Sequence, residues 1–163
     1  MEDKLQEALD KTDDTYRDLI EIANTVVKTY TSDVNILIRE AIENVDNLTN
    51  EDIRVLIVKL SLQAFNFGDI KEKAGLKAEL SETLRKEAYA KAFNLVEGSV
   101  ASKESQATMK VSYETSVELI YTTVASLFKT KLDEIHRVVD ALKSVLMSRM
   151  SEAKLTATLY EGE

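Results

Sequence analysis

Apolar residues recur every three or four positions along most of the chain, a spacing that places them on one side of an α-helix. A first run covers residues 5–30. A second run, residues 34–45, follows Ser32, whose side chain suits the N-cap of a helix. A third run starts after Thr49, which stands three positions before Asp52 as in a capping box. The pattern predicts a group of short N-terminal helices.

Two of the four glycines, Gly68 and Gly75, stand within a cluster of charged residues. Because glycine favours turns and helix ends, a boundary is predicted here. It separates an acidic N-terminal helical unit, residues 1–70, from a long helical hairpin, residues 71–163. The first arm of this hairpin, residues 71–97, carries a row of mostly four-residue spacing: Leu76, Leu80, Leu84, Ala88, Ala92 and Leu95.

A glycine and nearby serines indicate where that arm ends and the next one begins. Gly98 fits the position just after a helix end, and Ser99 or Ser102 can cap the helix that follows. We therefore predict that residues 71–97 and 103–152 fold back on each other as an antiparallel pair. The tip of the hairpin is predicted at residues 98–102.

The second arm carries an apolar stripe of alternating three- and four-residue steps, which is typical of coiled coils. As one helix it is about 75 Å long, whereas a compact chain of this size is only about 40 Å across. We therefore expect self-association through the C-terminal helix, although a monomeric bundle with breaks near Thr122 or Thr130 remains the alternative. The predicted oligomer interface consists of Val117, Ile120, Val124, Leu127, Leu132, Ile135, Val139, Leu142 and Leu146.

Composition supports an all-α protein, because the chain has no proline and only four glycines. The absence of cysteine excludes disulfides and sites that need a thiolate. The formal net charge of −8 is unevenly distributed along the chain. Residues 1–70 hold 15 acids and 7 bases, whereas residues 71–163 hold 14 of each. No apolar run approaches the length of a membrane span, and no signal-peptide pattern is visible at the N-terminus. We expect a cytoplasmic protein that does not contact a membrane.

Patterns of enzymatic chemistry are missing from the sequence. The single histidine, His136, lies three positions after Asp133, but one such pair cannot supply the ligands of a di-iron bundle. Acid pairs such as Glu40 with Glu43 suit a solvated helix face. We therefore predict a protein that is not an enzyme, with no catalytic residue, no metal site and no cofactor.

One segment combines basic and aromatic residues. "LRKEAYAKAFNL" interleaves Arg85, Lys86 and Lys91 with Tyr89 and Phe93. Cations that neutralise phosphates and aromatic rings that stack on bases are what a single-strand binding groove requires. The same aromatic residues also suit a packed helical core, and both interpretations stay open.

Residues 85–98, "RKEAYAKAFNLVEG", resemble a basic, alanine-rich helix of the phage UvsY family of recombination mediators. Residues 138–150, "VVDALKSVLMSRM", are similar to that family's terminal helix. The resemblance implies a cyclic homo-oligomer of helical hairpins that binds single-stranded DNA and cooperates with a recombinase in a phage-infected bacterium. It implies DNA contacts for the residues Arg85, Lys86, Lys91 and Lys103.

Two other kinds of function fit the pattern. The acidic first 70 residues suit a protein-interaction or inhibitory module that docks on a basic surface. Sustained apolar stripes suit a structural subunit of a larger assembly, which needs no ligand site. Neither alternative requires nucleic acid.

Overall fold

A computed structural model describes residues 2–160 of the chain, with side-chain surroundings for residues 16–156. Four α-helices follow one another: α1 is Glu2–Asn44, α2 is Asn50–Leu95, α3 is Val100–Lys110 and α4 is Ser112–Tyr160. A short 3₁₀ helix, Val45–Asn47, follows α1. The described residues contain no strand, which confirms the all-α prediction.

Helix α1 corrects the expected pair of short N-terminal helices. It continues through Ser32, whose hydroxyl donates to the Asp33 side chain and does not cap a new helix. The reason lies in the buried side of the helix, where the three- and four-residue steps continue without a slip. That side consists of Ala23, Val27, Thr31, Val34, Ile38 and Ala41.

Helix α2 begins at the predicted capping box. The Thr49 backbone N–H and hydroxyl both donate to Asp52 Oδ2, at 2.9 and 2.6 Å, and the Asp52 N–H donates to Thr49 Oγ1 at 3.1 Å. These hydrogen bonds hold the pKa of the Asp52 carboxyl below its ordinary value, with the Thr49 hydroxyl as the main cause. The predicted helix start at Thr49 is confirmed.

The expected helix break around Gly68 and Gly75 is wrong, because α2 runs through both glycines as one helix of 46 residues. Buried residues on both sides of them, including Phe67 and Ala74, keep the helix packed. A Cβ atom at either glycine would meet no atom within 4 Å. A glycine inside a helix costs only about 1 kcal/mol relative to alanine, which this packing outweighs.

The tip of the predicted hairpin forms where the sequence indicates. Gly98 has a φ of +124°, a backbone conformation that favours glycine. Ser99 caps α3, since its hydroxyl accepts a hydrogen bond from the Ser102 N–H. The expected continuous helix over residues 103–152 is interrupted once, at Val111, whose backbone leaves the helical region. Helix α4 continues past Thr122 and Thr130, so the alternative breaks there are absent.

The chain divides into two compact units. Unit 1 comprises Met1–Thr29 and Ile70–Phe128, and unit 2 comprises Tyr30–Asp69 and Lys129–Glu163. In unit 1, α2 runs antiparallel to the following helices, because Lys77 meets Tyr121, Arg85 meets Glu118 and Phe93 meets Lys103. Among residues 16–29 and 70–128, the buried apolar residues of unit 1 are Ala23, Val27, Ala74, Ala92, Val96, Ala107, Val111, Val124 and Phe128.

Unit 2 has a core of larger side chains. Up to residue 156, its buried apolar residues are Val34, Ile38, Ala41, Ile53, Leu56, Leu60, Ala64, Phe67, Ile135, Val139 and Leu142. Arg149 on α4 also fixes the turn after α1, because its guanidinium donates to the carbonyl oxygens of Leu48 at 2.6 Å and Val45 at 2.8 Å. These bonds satisfy acceptors that the ends of short helices leave open.

Candidate functional site

The predicted basic site is partly neutralised within the chain. Arg85 Nε donates to Glu118 Oε2 at 2.5 Å, and both side chains are mostly shielded from solvent. Lys86 Nζ lies 2.5 Å from Glu82 Oε1. The hydrogen bond and the charge of Lys86 lower the pKa of the Glu82 carboxyl. Each of these two cations therefore already has an anionic partner.

Lys103 and the two aromatic residues form a compact cluster at the end of α2. The rings of Tyr89 and Phe93 are stacked, with centroids 6.3 Å apart and planes inclined by 24°. Lys103 Nζ lies 5.8 Å from the Phe93 ring centroid, within the range of a cation–π contact. We call Tyr89, Phe93 and Lys103 the aromatic cluster.

Lys91 does not join this cluster. Successive helix residues turn by 100°, so Lys91 projects about 160° away from the direction of Tyr89. It is exposed on the same side of α2 as Leu84. The structure thus brings Lys103 together with the aromatic residues, leaves Arg85 and Lys86 in ion pairs, and separates Lys91 from all three.

The residues predicted for an oligomer interface on α4 are largely occupied within one chain. Val124, Ile135, Val139 and Leu142 are buried in the cores of the two units. The other five, which are Val117, Ile120, Leu127, Leu132 and Leu146, are half-buried. The stripe therefore packs against the chain's own helices.

The outer side of α2 carries apolar residues that are exposed to water. Its first row, Val55, Val58, Leu62 and Phe65, lies in unit 2, and its exposure rises from 42% at Val55 to 79% at Phe65. Its second row, Leu76, Leu80 and Leu84, lies in unit 1 and is also exposed. The exposure of the first row was not predicted from the sequence, although its spacing of three, four and three residues matches a helix–helix seam.

A groove runs beside the first row in unit 2. It has a volume of about 430 Å³ and lies between α2 and α4. Its wall on α4 carries His136, Asp140 and Lys143, and Asp140 Oδ1 lies 3.2 Å from Lys143 Nζ. The residues that line it on α2 are Ser61, Ala64, Phe65 and Gly68.

A smaller cavity in unit 1 has a volume of about 100 Å³ and touches the second row at Leu84. It is also lined by Ser81, Tyr113, Glu114 and Val117. Glu114 Oε2 is shielded from solvent and has no hydrogen-bond partner within the described residues. The cavity is too small for a drug-sized ligand, which needs at least about 300 Å³.

A shallow depression on α1 bears on the acidic docking alternative. It is lined by Asp18, Glu21, Ile22, Thr25 and Val26, and it has a volume of about 400 Å³. Its two carboxylates and two exposed aliphatic side chains combine negative charge with apolar area. Such a surface fits a basic amphipathic segment.

Within residues 16–156, no group of three or more histidine, aspartate and glutamate side chains could hold a metal ion. His136 is exposed on the groove wall. The helices of the described chain contain no stretch that is both long and apolar enough to cross a membrane.

Comparison with protein-family models, curated proteins and solved structures finds no match to this chain. The resemblance of residues 85–98 and 138–150 to the UvsY family stays an expectation. The function must therefore be argued from the surfaces described above.

Proposed function

We propose that this protein is not an enzyme and acts by self-assembly through the outer side of α2. The observation that carries this proposal is the exposure of an apolar row on α2 in each unit, because exposed apolar patches on a folded chain often mark interaction sites. A soluble chain gains free energy when such a patch is covered by a partner.

The distribution of charge supports a role without catalysis. Two carboxyl groups with lowered pKa values in the described part of the chain, Asp52 and Glu82, both face solvent, and neighbouring Thr49 and Lys86 explain the shifts. Catalytic acids and bases usually combine a shifted pKa with burial in a cleft. Neither group lies in one of the grooves.

Light scattering coupled to size exclusion tests the assembly proposal. A chain that self-assembles elutes with a mass that rises above 18.3 kDa as concentration rises. The exposed residues Leu62 and Leu80 are replaced by aspartate in turn, because neither change removes a core residue. A wild-type protein that stays at 18.3 kDa up to about 0.5 mM contradicts the proposal.

The aromatic cluster favours a second candidate, binding of single-stranded DNA. Tyr89 and Phe93 offer ring faces for bases, and Lys103 beside them offers a cation for the phosphates. This mechanism is charge neutralisation and stacking, with no bond made or broken. The recombinase partner, the phage setting and the cytoplasmic location follow only if this candidate holds.

Fluorescence anisotropy of a labelled single-stranded oligonucleotide tests the second candidate. Phe93→Ala should weaken binding by at least about fivefold, since one base stack contributes about 1–3 kcal/mol. The matched control is Phe65→Ala on another exposed face of the same helix. Lys103→Ala should also reduce the slope of log affinity against log salt by about 0.7. Equal losses for Phe93→Ala and Phe65→Ala, or no binding by the wild type, reject this candidate.

A further inference from the structure

The cavity of unit 1 borders an acceptor that the described chain does not satisfy. Glu114 lines this cavity, and its Oε2 atom is shielded from solvent and has no hydrogen-bond partner within the described residues. A shielded polar atom without a partner is costly, and the cost is larger for a charged group. Buried polar atoms of folded proteins almost always have a protein, water or ligand partner. The unsatisfied oxygen therefore indicates that a hydrogen-bond donor belongs in the cavity.

The negative charge of Glu114 is not compensated by the residues around the cavity. Glu114 stands in the first turn of α4, where the helix dipole stabilises a carboxylate. Glu118, one turn further along α4, is paired with Arg85 Nε at 2.5 Å, so this cation is already engaged. Uncharged residues complete the described lining: Ser81, Leu84, Tyr113 and Val117. The donor that fits best is therefore a cation.

The size and the rim of the cavity restrict this cation. The volume is about 100 Å³, whereas one water molecule needs only about 10–15 Å³, so several non-hydrogen atoms can enter. Leu84 and Tyr113 line the cavity and are 51% and 75% exposed, so they also form its rim. A ligand thus lies against apolar side chains at the rim and against Glu114 further in.

A buried hydroxyl belongs to the same lining. Ser81 on α2 is only 8% exposed, although serine usually lies at the surface. A hydroxyl accepts as well as donates hydrogen bonds, so Ser81 can accept one from a cation that Glu114 binds. A carboxylate on α4 and a hydroxyl on α2 therefore border one small space.

We propose that this cavity binds a primary alkylammonium group. The ammonium supplies three N–H donors and one positive charge, which Glu114 compensates and Ser81 helps to orient. The alkyl chain lies against Leu84 and Tyr113, in the way that lysine side chains pack their methylene groups on apolar surface. The face of the Tyr113 ring also attracts a cation. The site lies within unit 1 and does not depend on the proposed self-assembly.

Other occupants fit this lining less well. A guanidinium is planar and pairs best with both oxygens of a carboxylate, whereas one oxygen of Glu114 is the unsatisfied atom. Calcium takes six to eight oxygen ligands, and residues 16–156 contain no group of three or more histidine, aspartate and glutamate side chains that could hold a metal ion. Water donates a hydrogen bond but leaves the negative charge uncompensated.

Two sources can supply the ammonium group, a free aliphatic amine or a lysine side chain of another protein. Both present the same chemistry to the cavity, which is a positively charged nitrogen with three hydrogens at the end of an unbranched chain. In the second case, the four methylene groups of lysine keep the backbone of the partner outside the rim. The experiments below test the shared chemistry first and then distinguish the sources.

The first experiment follows the backbone amide chemical shifts of the full chain during an NMR titration with n-butylammonium chloride. We expect saturable shifts centred on residues 81–84 and 113–117, with a dissociation constant on the order of millimolar for a ligand of about five non-hydrogen atoms. Tetramethylammonium chloride is the control, because it has the same charge and no N–H donor. Equal shifts with both salts, or no saturable shifts up to about 50 mM butylammonium, would overturn the proposal.

The second experiment repeats the titration on variants of the two polar residues. Glu114→Gln keeps the size of the side chain and removes its charge, so it should weaken butylammonium binding at least about tenfold. Glu104→Gln is the matched control, because it removes the same charge from an exposed position of α3 in unit 1. Ser81→Ala should weaken binding about threefold, through the loss of one hydrogen bond. Equal affinities of the Glu114→Gln and Glu104→Gln proteins would contradict the assignment of Glu114 and overturn the proposal.

The third experiment identifies the source of the ammonium group. A blocked pentapeptide with one central lysine between glycines is compared with the same peptide acetylated on the lysine nitrogen. If the source is a protein partner, the lysine peptide shifts the same amides with at least the affinity of butylammonium, and the acetylated peptide does not bind. If the source is a free amine, butylammonium binds and neither peptide does. Equal binding of the two peptides would show that the charge is not recognised and would contradict the proposal.

Discussion

The two units use helix α2 in different ways. In unit 2, α2 buries Ile53, Leu56, Leu60 and Phe67, and the large apolar residues that it leaves exposed form one regular row. In unit 1, the same helix buries Ala74, Ser81 and Ala92 and leaves leucines outside. Of the five largest fully buried side chains within residues 16–156, only Phe128 belongs to unit 1, and the other four, Val34, Ile53, Leu60 and Ile135, belong to unit 2.

This difference has an energetic consequence. Each buried aliphatic side chain contributes roughly 1.5–3 kcal/mol, whereas a buried alanine contributes much less. Among the described residues, unit 2 therefore has the more stabilising core, and both units keep apolar side chains exposed on α2. We expect amide hydrogens of α2 to exchange more slowly in residues 53–67 than in residues 74–92, since local opening follows local core stability.

The largest expected effect compares two leucines of α2. Leu60→Ala removes a fully buried side chain from unit 2 and should lower the free energy of unfolding by about 2–5 kcal/mol. Leu80→Ala, in the exposed row of unit 1, should change it by less than about 0.5 kcal/mol. Urea denaturation at a concentration where the protein is monomeric measures both. Similar losses would show that the two units do not differ as described.

The next effect compares two arginines that each join separate segments. Arg149→Ala leaves the carbonyl oxygens of Val45 and Leu48 without their donor and should cost about 2 kcal/mol in unit 2. Arg85→Ala removes one partly shielded ion pair with Glu118 in unit 1 and should cost about 1 kcal/mol. Arg149→Lys is a useful control, because it keeps the charge and loses the fork that reaches both oxygens. A larger loss for Arg85→Ala would reverse the comparison.

Replacement by alanine should change stability in opposite directions at two glycines of unit 1. Gly98→Ala should destabilise the chain by about 1 kcal/mol, because φ at this position is +124°. Gly75→Ala should stabilise it by about 0.5–1 kcal/mol, since the position is helical and a Cβ meets no atom within 4 Å. Thermal unfolding followed by circular dichroism gives both signs. Destabilisation by Gly75→Ala would mean that the helix is strained there.

The smallest effect is the pH dependence of the capping box in unit 2. Because the pKa of Asp52 is lowered in the folded chain, its contribution to stability is complete above the unfolded value of about 4. It is lost as pH falls through the lower folded value. The difference in unfolding free energy between wild type and Asp52→Asn should therefore shrink from pH 6 to pH 3. A constant difference over that range would show that the Thr49 hydrogen bonds do not depend on the Asp52 charge.

Local signals in the sequence predicted local structure well. Thr49 with Asp52, Gly98 and Ser99 act through hydrogen bonds and backbone preferences of neighbouring residues, so the structure reproduces them. The signals at Ser32, Gly68 and Gly75 failed for a common reason. Each is a weak local preference, of about 1 kcal/mol or less, that did not end the helix containing it.

The candidate site was less predictable than the fold. A basic side chain is recognisable in the sequence, but its availability depends on residues far along the chain, such as Glu118 beside Arg85. For Lys103, the sequence indicated only a position near the hairpin tip. It did not predict the cation–π contact with Phe93. The three- and four-residue spacing of the first row of α2 is visible in the sequence. The same spacing is also typical of a buried helix side, so it does not predict exposure.

By itself, the amino-acid sequence determined that the chain is helical, that one helix is capped at Thr49, and that the chain turns at Gly98. Only the tertiary structure decided which apolar stripes are used up within the chain. The stripe of α4 became buried or half-buried, and the outer rows of α2 stayed exposed to water. Periodicity shows that a helix has an apolar side, but burial depends on which other helix reaches that side, and that is a property of the whole fold.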